Sequence, residues 1–377
     1  MRTPASSRLA IAAFLAVIAG VPVADVAVDL RACRRPPVAD LFTQRPTQPN
    51  LRAAEHAIES GSAVARAVRP WVQAARFLGL GDAGEKVLRG RDGWLFHRPG
   101  AGYLTQRPSA GESTAEDALA AVRGFRAALA ARGIRLIVVP VPNKESVYPD
   151  RAGRGGRPPA GMLAPETVAF LAGCRRAGIR VVDLFAEFSS ARAAGTQDLY
   201  LATDSHWTPA GLRIAVAEVA KHLRAPVGPS TYAVRPAPVR RTGDLVRMLQ
   251  SPPVEAAVGA ETVACEKVVR ADTGMPYADD PSSDVLVMGD SFLRIYETDE
   301  PGGAGFIAHL ARALGRPVAS LVNDGGGATL VRQDLIRRAH LLEGKKVVVW
   351  EFVERDLRLA AEGWPVLGLP DLPRRIE

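Results

Sequence analysis

Five short apolar runs in the last two thirds of the chain constrain its fold more than any other feature. They are Ile134–Pro142, Ile179–Phe185, Asp284–Gly289, Pro317–Val322 and Lys346–Phe352. Each is nearly continuous in apolar residues, as expected of parallel strands covered on both faces; a half-buried antiparallel strand would alternate. Helical patterns lie before or between most of them, at Pro165–Ala177, Pro209–Arg224, Gly305–Leu314 and Ala328–Leu342. A further helix over Thr114–Arg132 precedes the first, with Ser113 or Thr114 as N-cap and Gly133 just past its end. This alternation predicts the α/β class: a three-layer α/β/α sandwich around a mostly parallel five-stranded sheet. Residues 225–283, rich in Val, Pro, Thr and Ala, interrupt the rhythm and read as an irregular or β-hairpin insertion. Upstream, Gly90–Phe96 reads as a turn followed by a short aromatic strand. Leu51–Leu78 reads as one or two helices interrupted near Pro70, and Pro36–Asn50 as a linker.

The N-terminus carries an address. Arg2 and Arg8 precede an uninterrupted apolar and small-residue run from Leu9 to Ala24, followed by Asp25 and Asp29. That matches a secretory signal. Pro22 and Asp25 intrude where a cleavage site wants small residues, so an uncleaved anchor is favoured over a removed peptide, with both readings open. Leu30-Arg31-Ala32-Cys33 makes a poor lipobox, because Arg31 stands where a small or apolar residue is needed. The expected arrangement is one crossing by residues 9–24, with the remainder outside the cytoplasm. The formal net charge of +8 favours acidic surroundings such as an anionic polymer or a membrane surface. No basic stripe with interleaved aromatics points to nucleic acid. Cys33, Cys174 and Cys265 lack zinc-ligand spacing, so no metal site is expected; Cys174 and Cys265 are either one disulfide or two unrelated buried thiols.

In sheets of this kind, ligands sit at the carboxyl ends of the strands. The segments that follow the runs are polar or glycine-rich: Asn143-Lys144-Glu145, Asp290-Ser291-Phe292, Asn323-Asp324-Gly325-Gly326-Gly327, and Glu354-Arg355. Ser291, just past a buried strand, would project its hydroxyl from the sheet edge beside free backbone N–H groups. A serine needs an adjacent base. Asp204-Ser205-His206-Trp207 offers one, since residues two apart in an extended loop point the same way and a carboxylate fixes the imidazole tautomer. Thr208 and Pro209 then open the next helix as N-cap and N1. Trp207 is read as a sugar-stacking ring or a plain pocket wall. Lys144 and Arg355 are read as substrate contacts or as partners of nearby acids, Tyr296 as core or rim, and Asp290 as a brace for the serine loop. Gly243-Asp244-Leu245 reads as a turn. A metal held by Asp204 and His206 lacks a third ligand at sensible spacing.

Gly93-Trp94-Leu95-Phe96, Pro140-Val141-Pro142-Asn143-Lys144, Asp204-Ser205-His206-Trp207, Gly289-Asp290-Ser291-Phe292, Gly325–Gly327 and Trp350-Glu351-Phe352-Val353-Glu354-Arg355 occur in that order. As a set they resemble the alginate O-acetyltransferase family of the AlgJ/AlgX type, whose catalytic part is an SGNH-hydrolase-like domain. The resemblance covers roughly residues 85–360. It implies Ser291 as nucleophile, His206 as base and Asp204 as its orienting carboxylate. Ordinary SGNH esterases place the serine block first and use a DxxH spacing; the reversed order and the DxH here are what this permuted family implies. The oxyanion donors expected are the Ser291 N–H and a group from Asn323 to Gly327, with Asn323, Gly325 and Gly326 as candidates. The resemblance further implies an exported polysaccharide acceptor, alginate or another exopolysaccharide, a membrane-bound acyltransferase as acetyl donor, and a place in the periplasm with residues 9–24 in the inner membrane; no cofactor is expected. A carbohydrate acetyl esterase using the same residues and a non-catalytic polysaccharide-binding subunit stay open as rivals. The expected organisation is then 1–30 signal or anchor, 31–84 linker and helices, 85–360 acetyltransferase domain, and 361–377 tail.

Overall fold

The computed structural model describes residues 4–153, 162–195, 197–223, 228 and 231–370. The chain forms two compact units, Met1–Asp82 with Leu249–Ala257, and Ala83–Met248 with Val258–Glu377.

In the first unit, α1 spans Pro4–Arg31, and its Arg8–Arg31 stretch is long and apolar enough to cross a membrane. The segment expected as a linker is partly helical, with short turns at Pro37–Ala39 and Asp40–Thr43. Helix α2 (Gln48–Gly61) starts inside it, capped by Thr47. The helical interruption falls at Ser62, whose hydroxyl accepts the Ala65 N–H and so starts α3, Ala63–Ala74. Pro70 lies inside α3, where it removes only one backbone donor. A wider turn, Ala75–Leu80, extends α3 to Gly81, which ends it at φ +68°.

The second unit is built on a five-stranded parallel sheet. Its strands are β1 (Arg135–Val141), β2 (Arg180–Val181), β3 (Val285–Gly289), β4 (Ala319–Val322) and β5 (Val347–Val353), in the spatial order β4-β3-β5-β1-β2. Residues alternate between two cores, so Val347 and Val349 face one side and Val348, Trp350 and Phe352 the other. Helices α4 (Ala115–Ala130), α5 (Pro165–Arg176) and α10 (Leu330–Arg337) cover the second side. Helices α6 (Leu184–Ala194), α7 (Pro209–Leu223) and α9 (Phe306–Leu314) cover the first. This is the α/β/α sandwich expected.

Local chemistry explains the departures. β2 is shorter than the Ile179–Phe185 run, because Asp183 accepts the Ala186 N–H and turns Leu184 onward into α6. The helix expected over Ala328–Leu342 breaks at Arg338 into α10 and a 3-10 turn. Thr114 and Asp117 form a reciprocal capping box for α4. The insertion contains two antiparallel strand pairs, Tyr232–Pro236 with Glu266–Arg270 and Val239–Arg241 with Glu261–Val263. Trp364, in the expected tail, packs on Trp350 and Phe352, and residues 371–377 lie outside the described residues. Cys174 and Cys265 are free thiols, buried in the two cores on opposite faces of the sheet, which rules out their pairing.

Candidate active site

β3 ends at Gly289, where a Cβ would lie 2.2 Å from Glu351 Oε2, so only glycine lets the strand run this close to β5. The chain then turns at Asp290, whose carboxylate accepts the Phe292 N–H at 2.9 Å. Ser291 opens α8 (Ser291–Arg294) in a half-buried position. Its N–H finds no acceptor among the described residues.

The histidine loop closes on itself by a Tyr200–Trp207 bridge, and Thr208 Oγ1 accepts the Gly211 N–H at the start of α7. Inside this loop Asp204 Oδ1 accepts both the His206 backbone N–H, at 3.1 Å, and the Nδ1–H, at 2.7 Å. That fixes the tautomer and leaves Nε2 as an acceptor. Nε2 lies 2.8 Å from Ser291 Oγ, across 85 residues of sequence. Hydroxyl, imidazole and carboxylate thus form one hydrogen-bonded line at the carboxyl edge of the sheet.

Two residues from the insertion complete the surroundings. Arg241 Nε donates to Asp204 Oδ2 at 3.0 Å, and its other nitrogens reach Asp299 at 3.3 Å. Asp244 accepts from the Ser205 N–H and hydroxyl, and lies 3.7 Å from His206 Nδ1. Gly243–Leu245, which reads as a turn, leads into a helical turn at Asp244–Arg247, and Gly243 presses on Thr203, where a Cβ would lie 2.0 Å from the Thr203 carbonyl oxygen. The approach brings Asp244 to the site. Nothing in the local sequence marks Arg241 or Asp244.

Burial alone would lower the His206 pKa, but Asp204, with help from Asp244 and Asp290, overrides it and holds the imidazole above its usual value. Burial would raise Asp204; the charges of His206 and Arg241 prevail and keep it ionised, well below the usual carboxylate range. Asp244 is raised by burial and by Asp204. Behind the serine, burial and Asp290 push Glu351 well above a normal carboxyl, which favours its neutral form; its Oε2 accepts the Asp290 N–H at 3.0 Å. Asp204, His206 and Asp244 have ligand-type atoms within 4.8 Å of one another. A cation fits them poorly, since Arg241 already sits on Asp204 and Ser205 on Asp244.

Several expected contacts are turned elsewhere. Trp207 is fully buried between Phe292 and Phe306, so it cannot stack on a sugar. Tyr296 is likewise buried and donates to the Trp207 carbonyl at 3.1 Å. Lys144 is buried and makes no ion pair among the described residues: its Nζ donates to the carbonyls of Leu95, Ala202 and Asp204 at 2.6, 2.9 and 3.0 Å. Burial lowers it to about 8. The Asn323 amide is engaged by Asp334, and the Gly326 N–H by the Asn323 carbonyl at 3.1 Å. Gly325 is exposed at φ +73°. Arg355 is half-buried at the end of β5, and its guanidinium has no hydrogen bond or ion pair among the described residues.

A parallel sheet between two helical layers, with serine, imidazole and carboxylate aligned at its carboxyl edge, defines an SGNH-hydrolase-like domain. Residues 87–354 match the family described as SGNH hydrolase-like domain, acetyltransferase AlgX, and the chain belongs to that family. It is 26% identical over 249 residues to the probable alginate O-acetylase AlgJ of Azotobacter vinelandii, covering 64% of this chain and 63% of that protein. To the protein of the same description in Pseudomonas putida it is 30% identical over 287 residues, covering 72% and 70%. The chain therefore spans under two thirds of the Azotobacter relative's length. The O-acetyltransferase domain of Pseudomonas putida AlgJ superposes with a TM-score of 0.57 at 27% identity, over 72% of this chain and 91% of that one. Pseudomonas aeruginosa AlgX shares the fold, with a TM-score of 0.51 at 18% identity over 71% and 61%.

Proposed function

We propose that this chain is an O-acetyltransferase that moves an acetyl group through an acetyl-Ser291 intermediate onto hydroxyls of an exported polysaccharide. The observation that carries the reading is the line Ser291 Oγ–His206 Nε2–Asp204, at 2.8 and 2.7 Å, in a member of an acetyltransferase family. His206 Nε2 takes the Ser291 proton as Oγ attacks the acetyl carbonyl. The tetrahedral intermediate collapses, and the leaving oxygen receives that proton. A sugar hydroxyl then gives its proton to Nε2 and attacks the acetyl-serine, and Oγ leaves with the proton returned. The Ser291 N–H is one oxyanion donor. The second belongs to the Asn323–Gly327 loop, where the N–H groups of Asn323 and Gly326 are already engaged.

Arg355, half-buried beyond β5 with no side-chain hydrogen bond or ion pair among the described residues, suits the carboxylate of a uronic acid polymer, in keeping with relatives described as alginate O-acetylases. Helix α1 supports anchoring in the inner membrane with the domain of residues 85–360 in the periplasm; the donor proposed for such an anchored domain is a membrane-bound acyltransferase. The test is mass spectrometry of the protein given an activated acetyl ester, with and without oligouronate. An acetyl adduct on Ser291 that passes to sugar in the presence of acceptor is expected. Free acetate alone would mean an esterase, and polymer acetylation unchanged in Ser291→Ala would mean a non-catalytic subunit.

A further inference from the structure

We infer that α3 and the turn after it form a second membrane contact, an interfacial shelf lying among lipid headgroups beside the α1 anchor. The inference rests on reading α1 as membrane-spanning. Asp25 Oδ1 accepts the Val64 N–H at 3.1 Å, so α3 begins at the level of Asp25. Asp25 lies six residues before the basic end of α1 at Arg31, or about 9 Å along the helix. Asp25 is also the first charged residue after the apolar run Leu9–Ala24, which sets it at the boundary between hydrocarbon and water.

From there α3 presents Val68, Trp71 and Val72 on one side, at spacings of three and four residues, and Leu78 and Leu80 follow in the turn. All five are exposed, Trp71 by 67%. The residues turned inward are Ala74 and Phe77, so the apolar set facing outward is a second face and not the core one. An indole flanked by aliphatic groups, with Arg69 exposed on the same helix, has the composition that settles at a bilayer interface. Exposed apolar clusters of this kind mark contact surfaces, and continuity with α1 names the bilayer as the occupant.

The molecule carries its own probe, since Trp94, Trp207, Trp350 and Trp364 are buried and only Trp71 is exposed. The full chain would be reconstituted into phosphatidylethanolamine–phosphatidylglycerol vesicles with and without brominated acyl chains. The expected result is co-flotation with the vesicles and a blue-shifted emission component quenched by bromine, which Trp71→Phe loses while still floating. Flotation with Trp71 emission quenched by aqueous iodide but not by bromine overturns the shelf and leaves the anchor standing. Emission shielded from both quenchers also overturns it, in favour of a protein partner or a second copy. Failure to float removes the anchor reading and this inference with it.

Discussion

A serine hydroxyl becomes a nucleophile when its proton has somewhere to go, and in the proposed mechanism the acceptor is neutral His206. Because Asp204 holds the imidazole above its ordinary pKa, activity should rise with pH only through that elevated value. Asp204→Asn removes the main supporting charge and leaves burial opposed only by Asp244 and Asp290, which lowers the pKa; the acid limb of the kcat profile should move to lower pH while kcat itself falls about 10²- to 10⁴-fold. A pH–rate profile of both proteins checks the sign. Glu351 gives the opposite case. Since burial favours its neutral form, Glu351→Gln should keep most of the acetyl-transfer rate, whereas Glu351→Ala should not, as measured with a soluble acetyl ester. Ser291 was legible because it directly follows a buried strand, and His206 and Asp204 because they share a short polar motif just before a helix. Arg241 and Asp244 were not, since their contacts with Asp204 span 37 and 40 residues. Trp207 misled for a geometric reason: neighbours in an extended loop point opposite ways, so the residue beside an outward imidazole faces the core.

The elements of the sandwich carry their own tests. A methyl group at Gly289 has no room between β3 and β5, so Gly289→Ala should lower stability by about 1–3 kcal/mol and displace the serine turn, reducing activity as well. Thr114→Ala, far in sequence from the site, should cost about 1 kcal/mol through the lost capping box and leave kcat unchanged. Urea denaturation and steady-state rates on the two variants separate these effects. The strands were readable because both faces of a parallel sheet are covered, which leaves near-continuous apolar runs. Their ends were less so: Asp183 diverts the chain into α6 by one side-chain bond, a detail too local for apolar pattern to register. The insertion's strands were only outlined, since partners such as Tyr232–Pro236 and Glu266–Arg270 are far apart in sequence.

For the molecule as a whole, burial leaves an imprint on its pH dependence. Glu354, which accepts from Ser146, Thr167 and the Asn143 N–H, is pushed up to about 7 by burial, as is Glu297. The folded chain therefore holds protons that the unfolded chain releases at ordinary carboxyl values. Stability should be fully present below that lower range and decline as pH rises through about 7. His206, also raised, acts in the same direction. Urea midpoints at about pH 5 and about pH 8 should show the fall, and Glu354→Gln should flatten it. Arg241 has a consequence of a different kind. One guanidinium gathers carboxylates from the histidine loop and from the stretch after the serine, while being borne by a segment outside the sandwich. The insertion is thus a latch and not an ornament: a shortened version of this chain would have to find another cation for the same spot, or work with an imidazole whose partner is free to swing away.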